Sequence, residues 1–310
     1  MRSLAVIIVF LAFTSSIHAQ RVGSSPEYIK ALTPLWKGER SADGRPKVSD
    51  NMLTRLRNIS LEEVWGVLRN HGYNNQYEGD WHVIHPDSGA MTGRVVTAQY
   101  MPSRPDLVNV VKEQGRTEGR NQQGGTNSWP IDVLTEGDVY VADGFLKMAE
   151  GTLIGDNLGN AIYSRSHRGV IFYGSVRDEA GISEIEGFNG WVKGVDPSYI
   201  KDMMLTTINA PIRVGRAIVL PGDAVLANKY GAIFIPAHLL DTVVITSEVT
   251  ELRDEFGHQR LREKKYLAGQ IDSQWSDEIR KDFLDWLNHY PGKLPMSRKE
   301  LDEYLKSRNY

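Results

Sequence analysis

The sequence predicts an α/β fold built around parallel strands, and three neighbouring segments carry that expectation. Asp138-Val139-Tyr140-Val141-Ala142 is an apolar run that stops at Asp143-Gly144. Gly155-Asp156-Asn157-Leu158 opens a helical stretch with Leu158, Ala161 and Ile162 on one face, and it stops near Arg168-Gly169. Val170-Ile171-Phe172-Tyr173 is a second apolar run, ended by Gly174. Strand, helix and returning strand in that order form a right-handed crossover with its two strands parallel.

The remaining elements follow in chain order. Met1-Arg2 is a short positive start, Leu4 to Phe13 is apolar, and Thr14 to Ala19 is polar and small. That is a signal-peptide pattern, too short to span a bilayer, so residues 1–19 are expected to be cut after Ala19 and the mature chain to be periplasmic or secreted. Residues 20–57 form a polar N-terminal arm with loops at Ser24-Ser25-Pro26 and Gly38 to Pro46, and a short helix within Pro26 to Leu35. Ser60-Leu61-Glu62-Glu63 is a capping box that starts a helix through Val64, Trp65, Val67 and Leu68, ending near Gly72. Val95 to Tyr100 reads as a strand, and the Gly-, Gln- and Asn-rich stretch from Gly115 to Trp129 as a long loop. A helical pattern begins after Pro236 at Leu239-Leu240 and Val243-Val244, with interruptions such as Gly257, and runs toward Lys265. Residues 270–310 form a helical extension in which Trp275, Ile279, Phe283, Trp286 and Leu287 make one apolar stripe. Ser297 and Glu300 then cap a last short helix.

Composition narrows the function. The chain has 36 basic and 39 acidic residues, a net charge of −3 that lacks the basic excess nucleic-acid binding demands. It has no cysteine, which removes disulfides, thiolate metal sites and a cysteine nucleophile. No Gly-x-Ser-x-Gly elbow or Gly-rich phosphate loop is present.

The chemistry concentrates at Asp156, Arg177 and Asp178. A helix from Gly155 advances about 16–18 Å at 1.5 Å per residue, and the strand after it returns about 17–20 Å. Asp156 therefore comes back to the same edge as Arg177 and Asp178. In such units ligands collect beyond the carboxyl ends of the strands. There the free N–H groups of Gly155 to Leu158 can hold a carboxylate, aided by the helix dipole, and Gly155 lets a ligand approach the backbone. An anion pocket, a guanidinium and two acids suit an oxo-acid substrate and a divalent cation. The same residue types at helix and strand ends also serve as caps and surface ion pairs.

These residues resemble the RraA-like family, which is named for a regulator of ribonuclease activity and includes 4-hydroxy-4-methyl-2-oxoglutarate aldolases. The resemblance rests on the Gly155-Asp156-Asn157-Leu158 turn, on Arg177-Asp178, and on Gly137-Asp138-Val139 with Asp143-Gly144. Leu220-Pro221-Gly222-Asp223-Ala224-Val225 followed by Gly231 to Pro236 is similar to the family's closing hairpin. The likeness spans residues 58–269 and implies a layered β/β/α swivelling domain with peripheral helical extensions. It also implies a homotrimer or hexamer with sites between subunits, and a metal-dependent lyase, by retro-aldol cleavage or oxaloacetate decarboxylation, on a 2-oxo acid. By resemblance, Asp178 anchors Mg²⁺ or Mn²⁺, Arg177 faces the pyruvyl oxygens, and Asp156 orients a metal-bound water. Backbone amides from Gly155 through Asn157 to Leu158 take the carboxylate. A further acid from a neighbouring subunit falls near Glu248, Glu251 or Glu255.

Other constellations weigh less. His82 and His85, with Asp87 nearby, lie on an extended segment that sends the two rings apart. Lys147 past Asp143-Gly144 reads as a solvated loop lysine rather than a Schiff base. Two rival functions stand beside the lyase: a non-catalytic binding protein, and an exported metal enzyme acting on a sugar acid or related hydroxy acid.

Overall fold

The computed structural model describes residues 21–308, so the expected leader at 1–19 lies outside the described residues. Helices α1 (Pro26–Leu32), α2 (Asp50–Leu56) and α3 (Leu61–Asn70) come first, and the Ser60–Glu63 capping box forms as expected. Strands β1 (Tyr77–Glu78) and β2 (His82–Val83) precede the long β3 (Met91–Pro102). Helices α4 (Pro105–Thr117) and α5 (Trp129–Asp132) lead to β4 (Asp138–Asp143). The crossover follows as α6 (Asp156–Ser166) and β5 (Val170–Val176), then α7 (Glu179–Ser183) and β6 (Gly190–Val195). Strand β7 (Met203–Ile208), the ribbon β8 (Ile212–Val214) and β9 (Ala217–Val219), and the hairpin β10 (Ala224–Asn228) and β11 (Gly231–Ile235) complete the strands. The long α8 (Leu240–Arg262), α9 (Ala268–Ile271), α10 (Asp277–Asn288) and α11 (Arg298–Ser307) close the chain.

Among the described residues, nine strands form one mixed sheet in the order β1-β11-β10-β3-β4-β5-β6-β2, with β7 paired to the second half of β3. Strands β3 to β6 are parallel, in register at Val96↔Tyr140, Val141↔Ile171 and Phe172↔Val192. One face of this centre packs Tyr140, Phe172, Val192 and Leu205 against Ile162 of α6 and Ile182 of α7. The other face packs Val141, Ile171 and Trp191 against Ile212, Val214, Ala217 and Val219 of the ribbon. The layers therefore run ribbon, sheet, helices. Each large apolar side chain buried this way stabilises the fold by about 1.5–3 kcal/mol.

Two further units flank the centre. Helices α2, α3 and the start of α8 cover the β10–β11 hairpin through Leu56, Val64, Leu68, Ile233, Ile235 and Val244. The second half of α8 packs Leu252 and Phe256 against Trp275, Ile279, Phe283 and Trp286, so the C-terminal apolar stripe is core. The N-terminal arm packs on this chain's own core: Arg45, 2% exposed, donates to both carboxylate oxygens of Asp138 at 2.8 and 3.0 Å.

The structure corrects two sequence expectations. Helix α4 runs from Pro105 to Thr117, so residues 115–117 of the expected 115–129 loop are helical, and position 115 is glycine because a Cβ there would lie 2.2 Å from the Trp129 ring. Gly257 does not interrupt α8; a Cβ there would lie 2.8 Å from Ile271, so the glycine lets α9 pack close.

Candidate functional site

The path that leads to the site is set by backbone pairing at the carboxyl ends of β4 and β5. After β4, Gly144 and Leu146 both donate to the carbonyl of Tyr173, at 3.1 and 3.0 Å. The Ser175 hydroxyl donates to the carbonyls of Lys147 and Met148 at 3.0 and 2.8 Å, folding residues 144–151 over the end of β5. Thr152 then bridges Ser175 in parallel, Leu153 donates to Ser175, and Arg177 donates to Ile154 at 3.0 Å. Gly155 is thereby delivered beside Arg177. The local consequence is close contact: a Cβ on Gly155 would lie 2.5 Å from Asp178 Oδ2 and 3.1 Å from Arg177 Cζ. The demand for glycine here comes from the nearness of the Arg177 and Asp178 side chains, not from its φ of −121°.

Asp156 begins α6 and half-buries its side chain against α7, where a Cβ on Gly181 would lie 2.9 Å from Asp156 Cβ. Asp178 precedes α7 in the left-handed region, at φ 54°, and pairs with the adjacent Arg177. The two side chains remain 38% and 39% exposed. Asp156, Arg177 and Asp178 thus gather around Gly155 on an open shelf at the carboxyl edge of the parallel strands. Phe145, Leu146 and Glu150 in the covering loop also have positive φ, at 43°, 59° and 57°. Left-handed non-glycine residues cost conformational energy and cluster at functional sites; no residue type in that loop signalled them in the sequence.

The amide cradle is narrower than the sequence implied. Asp156 Oδ1 accepts from the Asn157 N–H at 2.8 Å, so the helix start supplies its own anion for one donor. The Asn157 side chain is exposed, while Leu158 packs against the core and can offer a ligand only its backbone. Among the possible further acids, Glu248 is 3% exposed and bonded by Arg55 at 2.8 and 2.5 Å, which commits it to holding α2 on α8. Glu255 accepts from the Tyr290 hydroxyl at 2.7 Å. His82 and His85 separate: the His82 ring pairs with Glu179, next to Asp178, whereas the backbone of His85 is held by Asn189. The His82–Glu179 contact joins residues 97 apart, and nothing local in the sequence announced it.

Whether the shelf suits a divalent cation turns on its donors. Among the described residues no group of three His, Cys, Asp or Glu side chains surrounds a single point. Asp178 and Asp156 present exposed or half-exposed carboxylates. Mg²⁺ keeps several waters and is bound through one or two carboxylates. The donor set fits an ion held that way, with Arg177 competing for Asp178.

The fold and this edge meet their relatives in sequence. The chain matches the RraA-like family (Aldolase/RraA) over residues 46–234, and it belongs to that family. The family includes both aldolases and RNase inhibitors, and its members are typically Mg²⁺-dependent. RraAS2 of Streptomyces coelicolor, described as an unusual member of the RNase ES inhibitor RraA protein family, is 22% identical with a TM-score of 0.56. Their alignment covers 70% of this chain and 98% of that one. A protein of Pseudomonas syringae pv. tomato aligns at 15% identity and TM-score 0.57, over 74% of this chain and all of its own. A structure described among novel cellulases from gut-associated microbes aligns at 18% identity and TM-score 0.55, covering 77% and 95%. At these identities the likeness establishes the fold alone.

Proposed function

We propose that this protein is a divalent-metal-dependent lyase acting on 2-oxo acids. The observation that supports this reading most is the packing of Gly155 against Arg177 and Asp178, with Asp156 one residue away. In retro-aldol cleavage the bond between the α- and β-carbons of the oxo group breaks. Its electron pair becomes the enolate of pyruvate, the β-hydroxyl loses its proton to become a carbonyl, and the α-carbon takes up a proton. Decarboxylation of oxaloacetate releases CO₂ through the same enolate.

In this reading Arg177 leaves Asp178 to face the oxygens where the negative charge develops, and a fixed donor there lowers the barrier. Asp156 holds or moves the proton at the α-carbon, and the free amides of α6 orient the carboxylate. A hard cation on Asp178, when bound, supplies Lewis-acid charge to the same oxygens. The openness of the shelf fits a homotrimer or hexamer in which a neighbouring subunit provides the missing wall. The leader-like start supports an exported protein that meets a small-molecule acid outside the cytoplasm.

The test is pyruvate release from oxaloacetate and from 4-hydroxy-4-methyl-2-oxoglutarate, with Mg²⁺ or Mn²⁺, with EDTA, and with Arg177→Ala. Turnover that requires metal and disappears in the variant is expected. Metal binding without turnover of either compound would move the substrate to a sugar acid or related hydroxy acid. Absence of both binding and turnover would favour the non-catalytic role.

A further inference from the structure

A concavity lies at the opposite pole from the shelf, where α6 ends and β3 and β5 begin. It encloses about 480 Å³, within the roughly 300–1,000 Å³ of small-molecule sites. Its wall is built rather than incidental. Asn189, 6% exposed, accepts from the His85 N–H and donates to the His85 carbonyl and the Ser88 hydroxyl, at 2.9, 2.9 and 2.8 Å. Arg168 is fixed by donating to the carbonyls of Thr92 and His167 at 2.9 and 2.8 Å, which leaves Nη2 for a ligand. Arg57 lines the same space, and neither guanidinium forms an ion pair among the described residues. The His85 ring and the Tyr163 hydroxyl, also in the lining, make no hydrogen bond among the described residues and add two donors.

Opposing charges are present and do not cancel these. The carbonyl end of α6 faces the cavity and disfavours an anion, but Arg168 already engages the His167 carbonyl at that end. Glu136 is taken up by the His167 ring at 2.6 Å, leaving Glu186 as the acid in the lining. Two unpaired guanidiniums against one carboxylate leave the cavity cationic. Guanidinium forks match carboxylate and phosphate oxygens in bidentate pairs. We infer that this cavity is a second ligand site, for a small oxyanion bearing a carboxylate or phosphate group held between Arg57 and Arg168. Helix α6 separates it from the shelf by 11 residues, about 16 Å at 1.5 Å per residue, so the two sites can be tested independently.

The experiment is calorimetric titration of the purified protein with inorganic phosphate and, separately, with malonate, at ionic strength held constant with chloride. A saturable site with Kd at or below about 1 mM that persists in Arg177→Gln is expected for at least one probe, and which probe binds identifies the oxyanion. Arg57→Gln, which removes no internal bond, should weaken it by about tenfold or more, and Arg168→Gln should do the same. Arg177→Gln should leave it unchanged. Binding that is absent, that does not saturate, or that survives both substitutions would overturn the inference. So would binding lost in Arg177→Gln but kept in Arg57→Gln, since that would put the anion on the shelf.

Discussion

Arg45 and Asp138 form an ion pair across 93 residues of sequence, with side chains 3% and 2% exposed. Arg177 and Asp178 are sequence neighbours whose paired side chains are 38% and 39% exposed. The same two chemical groups serve different ends because of their surroundings. Asp138 has its second oxygen engaged by the Thr135 N–H and hydroxyl at 2.8 and 2.9 Å, so no acceptor is left for a ligand, and the pair ties the N-terminal arm to β4. On the shelf, water reaches both partners, so the pair can open for an anion or a cation at small cost. A buried pair is expensive to break because the survivor keeps an uncompensated charge, whereas an exposed pair is close to neutral.

The sharpest way to break this comparison is to remove one acid from each pair. Asp138→Ala should lower the unfolding free energy by about 3–5 kcal/mol, read from urea denaturation, while Asp178→Ala should change it by about 0–1 kcal/mol. Equal losses would mean that exposure does not separate the two. Next comes Gly155→Ala. The atom its Cβ would displace is Asp178 Oδ2, the end of a flexible side chain, so the fold should adjust with little loss of stability. The geometry of the site should not survive, and a shift near 1 Å costs about 100-fold in rate. Pyruvate release that is unaffected by this substitution would show that the Arg177–Asp178 arrangement is not the reacting one. A smaller effect separates the two acids of the shelf. Asp178→Asn should weaken Mn²⁺ binding, followed by electron paramagnetic resonance, by at least the roughly 10- to 100-fold that loss of a supporting group costs. Asp156→Asn should retain the ion and lose turnover; the reverse pattern would exchange their roles.

The parts of the molecule legible in the sequence are those specified within one or two elements. The Ser60 capping box forms, with its side chain accepting from the Glu63 N–H at 3.2 Å. The crossover from β4 to β5 is parallel, as the strand–helix–strand order requires, and the hairpin after Gly222 pairs Leu226 with Ile233. Residues joined across long stretches were not legible. Glu248 reads as a candidate site acid from its neighbours in sequence, but Arg55, 193 residues away, takes both of its oxygens. Helix α4 was obscured because Gly115 reads as a loop residue, although it is there to admit Trp129. The lengths of α6 and β5 bring Gly155 and Arg177 to one edge, whereas the left-handed Phe145, Leu146 and Glu150 follow from tertiary pairing with β5.

The smallest effect contrasts two glutamates on one helix. Glu248 is paired with Arg55, whereas Glu251, three residues further along α8, forms no ion pair among the described residues. Partial burial first, then the charges of Glu63, Glu248 and Asp254, push its carboxyl up to about 7. An acid raised in the folded state holds a proton there that the unfolded chain releases. Its cost is therefore absent below the ordinary carboxylate range, grows as pH rises, and is complete above about 7. Because the group is only half buried, solvent screening keeps that cost below about 1 kcal/mol. Glu251→Gln should match the parent in urea midpoint near pH ~4 and exceed it near pH ~8. Asp223, fully buried and also raised to about 7 by desolvation, acts with the same sign and stays in the variant. The slope of stability against pH should therefore shrink without vanishing. A gain of equal size at both pH values would trace the effect to packing, and the unpaired charge of Glu251 would then have no part in it.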